Sequence, residues 1–190
     1  MECVSSSFVE PTFYKILPSN DSTLAVELYK TGLMKRKKHL LFFEQFEGEL
    51  WYVPGHPESS QVKMTMHAAS LVCRDKWLRP KRQQEVARYA RKEILAADRY
   101  PRITFASDRM IEKRIRGFAV EGILTVRDMA RTVNLNLVVN QTKPETLQID
   151  GDATFRLSEF EVPRPSSFFG LIGTKDEVLI RLLLWATRSI

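Results

Sequence analysis

The chain has 190 residues, 44% of them hydrophobic, with a formal net charge of +6 and two cysteines, Cys3 and Cys73. That length fits one domain with a sizeable core, and that apolar fraction excludes wholesale disorder. Two cysteines exclude a disulfide framework, and the mild positive charge permits an anionic partner without demanding one.

Residues 1–11 read as a loose N-terminus ahead of a single domain, with neither the basic nor the apolar region of a secretory signal. Period-two alternation then predicts a short strand around Tyr14–Ile16, and a second in which Leu24, Val26 and Leu28 face one way. Leu40, Phe42, Phe46, Leu50 and Tyr52 continue the pattern across Gly48, with Glu47 and Glu49 opposite. Val62, Met64, Met66 and Ala68 alternate with Gln61, Lys63, Thr65 and His67. From Pro80 to Ala97 the period becomes helical: Val86, Tyr89, Ala90, Ile94 and Ala97 share one face, and Arg82, Arg88, Arg91 and Lys92 the other. Pro80 suits a helix start, and Tyr100-Pro101 returns the chain to extended geometry.

Strands follow over 103–110, 118–126, 132–139 and 147–157, the last with Asp150, Asp152, Thr154 and Arg156 on its wet face. A short helical or looped segment covers 159–170. The final strand, Glu177–Thr187, puts Val178, Ile180, Leu182 and Leu184 on one side. Roughly eight or nine strands and one inserted helix near 80–97 predict an all-β fold, a single closed antiparallel barrel. Gly122 and Gly151 sit mid-strand, where a closing sheet needs a bend or a close approach. The strongest apolar run, Val178–Ala186, is broken by Arg181 and falls short of the ~18 residues of a membrane span. A soluble, cytoplasmic protein is expected.

Arg74-Asp75-Lys76-Trp77-Leu78-Arg79, followed by Tyr100-Pro101-Arg102-Ile103-Thr104-Phe105-Ala106-Ser107, resembles the YceI-like family of lipid-binding barrels. That family shows an Arg-Asp-x-x-Leu-Arg turn and then a Tyr-Pro-x-Ile-x-Phe-x-Ser strand. Thr31-Gly32-Leu33 with His39, then Phe46-x-Gly48, is similar to its early hairpin. Gly122-Ile123-Leu124-Thr125 with Arg131, Gly151 to Leu157, and the strand from Asp176 keep its order. The resemblance covers about residues 12–188 and implies a lipocalin-like barrel whose lumen holds polyisoprenoid or similar long-chain amphiphiles. Leu17 and Asp128-Met129-Ala130 depart from the pattern, and the stretch from Leu78 to Tyr100 is longer than usual by about three helical turns.

The lumen candidates are Phe42, Phe46, Leu50, Met64, Met66, Phe105, Phe118, Val120, Leu124, Phe155 and Leu157. Alternation alone leaves open whether such a barrel is filled or holds one ligand. His39, Arg74 and Arg79 are candidates for a head group by their place in the motifs. Phe168 and Phe169 form either a lip over the mouth or a plug. The basic helix face is either solvated or set against an anionic membrane surface. His39, His56 and His67 have no metal-ligand spacing, and Cys73 has no partner cysteine, so no metal, cofactor or catalytic set is expected. The expected role is non-catalytic binding or carriage of a lipid. A nucleic-acid-binding or interaction barrel with a filled core is the alternative, disfavoured because the strands show no outward aromatic row. A homodimer through a barrel edge or the inserted helix is left open.

Overall fold

A computed structural model describes residues 10–113, 117–163, 166–167 and 172–189. Its strands are β1 (Thr12–Ile16), β2 (Thr23–Lys30), β3 (Lys38–Phe43), β4 (Phe46–Tyr52), β5 (Gln61–His67) and β6 (Leu71–Cys73). After helix α1 (Pro80–Tyr89) come β7 (Arg102–Glu112), β8 (Phe118–Val126), β9 (Met129–Lys143), β10 (Thr146–Arg156), β11 (Ser166–Ser167) and β12 (Ile172–Arg188).

Eight strands close into an antiparallel ring in the order β1-β4-β5-β7-β8-β9-β10-β12, with β12 returning to β1 through Ile16 and Ala186. The long β12 also makes the second join. Its C-terminal end pairs with β1, while Thr174–Leu183 pairs with β2, from which β3 and then β6 continue the sheet. Outside this seam Glu27 is buried, its carboxylate taking Lys38 at 2.7 Å and Arg181 at 3.3 Å, so one acid ties β2, β3 and β12 together. Closure removes the free edges of the ring itself, leaving the three-residue β6 as the end of the branch that β2 and β3 begin.

The alternation read from the sequence survives in most strands. Val120, Leu124 and Val126 are buried on β8, and Val178, Leu182 and Leu184 on β12, while Asp150, Asp152, Thr154 and Arg156 are exposed. Gly122 is required by contact: a Cβ there would lie 2.5 Å from the Phe105 ring and from the Ala106 carbonyl oxygen.

Three readings are corrected. Leu41 and Phe43, not Leu40 and Phe42, are the buried pair on β3, because the turn at Glu44-Gln45 resets the phase before β4. Phe42 therefore faces outward, with the Arg74 guanidinium 4.8 Å from its ring centre. The helix does not run as one piece to Ala97: α1 is followed by a π-turn over 90–94, closed by Leu95 N–H donating to Ala90 O at 2.9 Å, and Ala96 then takes φ 47°. Tyr89 lies outside the apolar stripe at 46% exposure, while Ala87, Ala90, Ile94 and Ala97 are buried.

Candidate functional site

The barrel is filled at one end and hollow at the other. Tyr14, Ile16, Leu50, Met110, Val120, Leu137, Leu147, Ile149 and Leu184 belong to the packed core and none of them borders the cavity. Toward the opposite end, inward side chains of β5, β7, β8, β9, β10 and β12, with those of β2, β3 and β6, surround a cavity of about 920 Å³. That volume lies in the upper part of the usual ligand-pocket range. The helix forms its outer wall through Val86, Ala90 and Ile94, with Arg82, Glu85, Arg88, Lys92 and Glu93 at the rim. Arg127 Nη1 donates to Ile94 O at 3.3 Å, and Gln83 Nε2 to Asp75 O at 2.8 Å, fastening the helix across the barrel end.

Of the eleven lumen candidates, Met64, Met66, Phe105, Leu124, Phe155 and Leu157 line this cavity. Phe46, Leu50, Phe118 and Val120 share the inward register but pack away from it, Phe118 edge-on to Tyr52 with ring centres 6.5 Å apart. Phe42 is outside the barrel. Phe168 and Phe169 fall outside the described residues. Leu24, Val26, Leu28, Val133, Leu135, Ile180 and Leu182 complete the apolar wall.

Among the mouth candidates, His39 borders the cavity, but Arg74 and Arg79 do not. Arg74 is turned out onto Glu44 at 3.0 Å, and Arg79 precedes α1 as an exposed residue. The motif residue that matters inside is Asp75, buried at 2% exposure. Leu40 N–H donates to its Oδ1 and His39 Nδ1 lies against its Oδ2, both at 2.6 Å, and the Cys73 thiol also bonds to the carboxylate. Burial alone would raise the Asp75 pKa, but these donors outweigh it and hold the carboxyl below its ordinary value. The Cys73 thiol is pushed up to about 12, by burial first and by the neighbouring carboxylate next. It is a buried thiol whose protonated form is favoured.

His39 Nδ1, Cys73 Sγ and an Asp75 oxygen lie within 4.8 Å of one another, a donor set that suits a transition metal. Asp75 also ties these groups together by hydrogen bonds, joining β3 to the turn after β6. Trp77 reinforces it: the indole N–H donates to Lys38 O at 3.1 Å, and the ring lies 5.6 Å from that of His39. Sequence reading also passed over Lys30, which follows Leu24, Val26 and Leu28 on the inward face of β2 and borders the cavity. Burial lowers its pKa, and the field of Asp75 opposes that shift.

Residues 14–185 match the YceI-like domain, and the chain belongs to that family. No curated protein matches. Among solved structures, BcnA of Burkholderia cenocepacia superposes with a TM-score of 0.69 at 23% identity, covering 87% of this chain and 96% of that one. A polyisoprenoid binding domain from Saccharophagus degradans, implicated in plant cell wall breakdown, gives 0.66 at 9% identity over 92% and 98%. The YceI protein of Campylobacter jejuni gives 0.60 at 17% identity over 79% and 85%. At these identities the superpositions establish the shared barrel.

Proposed function

We propose that this YceI-like protein binds and carries a long-chain apolar lipid in the hollow end of its barrel, without acting on it chemically. The observation that carries the reading is the half-hollow lumen itself: about 920 Å³, walled by aliphatic, methionine and aromatic side chains, with its charged residues gathered at one end. Burying ten methylenes there would contribute on the order of 8 kcal/mol before ordering costs. Met64 and Met66 suit a flexible chain because a thioether repacks at little cost. The Saccharophagus degradans neighbour is a polyisoprenoid-binding domain, and an isoprenoid chain is one occupant this lumen fits. A filled interaction barrel is disfavoured by the cavity. A nucleic-acid role is disfavoured because, among the described residues, Tyr89 is the single strongly exposed aromatic.

Native mass spectrometry of gently purified protein, followed by organic extraction, tests the reading. A stoichiometric long-chain lipid is the expected result. Protein that arrives empty and takes up neither prenyl nor acyl chains would overturn it.

A further inference from the structure

Lys30 is the one position where the apolar stripe of β2 ends in a charge that still faces the cavity. It makes no ion pair among the described residues. Asp75, whose field reaches it, is already occupied by Leu40, His39 and Cys73, and Glu85 on the helix is engaged by Arg82 at 2.5 Å. An unpaired ammonium in a low-dielectric wall is costly, and an anion arriving beside it removes that cost. Four cations (Lys30, Arg82, Arg88 and Lys92) against two carboxylates (Glu85 and Glu93) border the cavity, so its field also favours a negative head.

The second half of the site is His39. Its Nδ1 is held by Asp75, whereas Nε2 has no hydrogen bond among the described residues, is not sealed from solvent or cavity, and belongs to a ring that borders the lumen. Lys30 N–H donates to Lys37 O at 2.9 Å, which fixes the register so that Lys30 and His39 are diagonal neighbours on one face of adjacent strands. Long side chains in that relation converge on a single group. From Lys30 the stripe runs down β2 to Leu24, about 20 Å of apolar wall for a tail.

We propose, building on the lipid-carriage reading, that the ligand is a single-chain amphiphile with an anionic oxygen head group, bound between Lys30 Nζ and His39 Nε2. A carboxylate head would place its oxyanion between Lys30 Nζ on one side and His39 Nε2 on the other. An alkyl phosphate offers the same oxyanion and is the other source of this chemistry.

The test uses the full chain, stripped of co-purified lipid, and competition against a neutral fluorescent lipid probe at pH 7.4. Palmitic acid, hexadecanol and hexadecyl phosphate are compared on wild type, Lys30→Met and Lys30→Arg. At least about tenfold tighter binding of an anionic chain than of the alcohol is expected, with the gap lost in Lys30→Met and kept in Lys30→Arg. The tighter of the acid and the phosphate names the source. Equal affinity for acid, phosphate and alcohol, or a gap that Lys30→Met leaves intact, overturns the head-group site while leaving lipid carriage standing. No uptake of any of the three overturns both.

Discussion

Replacing Asp75 by alanine removes the acceptor for three donors at once: Leu40 N–H, His39 Nδ1–H and the Cys73 thiol. At 2% exposure no solvent reaches the gap, so the donors stay unpaired rather than rehydrate. Breaking a buried charged network of this kind costs about 3–5 kcal/mol. Asp75→Asn keeps one acceptor but turns an N–H toward one of the donors, and a loss of about 1.5–3 kcal/mol is expected. With a urea m-value of about 2 kcal/mol/M, the alanine variant unfolds at a midpoint lower by roughly 2 M, followed by tryptophan fluorescence. The sign with pH is fixed by the depressed carboxyl of Asp75. Its stabilisation is complete above the ordinary carboxylate pKa of about 3.9 and is lost as pH falls through the lower folded value, so wild type and Asp75→Asn converge in acid. An alanine midpoint within about 0.3 M of wild type would refute the reasoning, because the hub would then be dispensable to the seam between β3 and the motif turn.

Ala153 borders the cavity from β10, and Ala153→Phe fills the lumen from a position where space is available. It is expected to abolish lipid uptake with less than about 1.5 kcal/mol change in stability, read by the probe assay and urea melts. Gly122→Ala meets the fixed Ala106 backbone carbonyl as well as the Phe105 ring, and a loss of about 1–3 kcal/mol is expected. A thermal midpoint equal to wild type would show that the β7–β8 contact is looser than described. The Cys73 thiol, pushed up to about 12, is expected to resist a thiol reagent at pH 8 until urea unfolds the protein. Rapid labelling of native protein at that position, located by peptide mapping, would count against its burial.

Where the sequence could be read and where it failed follow from the same periodicity. On β8 Glu121 and Thr125 mark the wet face, and on β12 Glu177 and Arg181 do, so Val120, Leu124, Val178 and Leu182 fall where alternation puts them. On β3, Leu40-Leu41-Phe42-Phe43 is apolar on both faces and carries no phase of its own. Borrowing the phase of β4 across a turn put Phe42 inside. The strand β6 has three residues, too few to show a period. Yet Leu71, Cys73 and Asp75 alternate with Val72 and Arg74, and extending that count through the motif would have turned Asp75 inward and Arg74 outward. The same step would have carried the β2 stripe on to Lys30. Partition of the lumen into a filled and a hollow end had no such signal, because Leu50 and Met64, or Val120 and Leu124, are equivalent by pattern.

That partition bears on how the protein remains folded while holding space for a guest. A dry void of 920 Å³, at about 24 cal/mol per Å³, would cost on the order of 20 kcal/mol, more than the whole stability of a domain. On the proposed reading a hydrocarbon chain in the lumen removes that cost. Water between Leu24, Val133 and Leu182 finds few hydrogen-bond partners, so a hydrocarbon tail displaces it favourably. Folding must then rest on the end that needs no guest, where Tyr14, Ile16, Val120, Ile149 and Leu184 pack against one another and β12 locks onto β1. Polar groups occur only toward the helix-covered end, at Lys30, His39 and Thr174 on the barrel and along the helix. On the proposed lipid-carriage reading, a guest goes in tail first and leaves its head where the charges are.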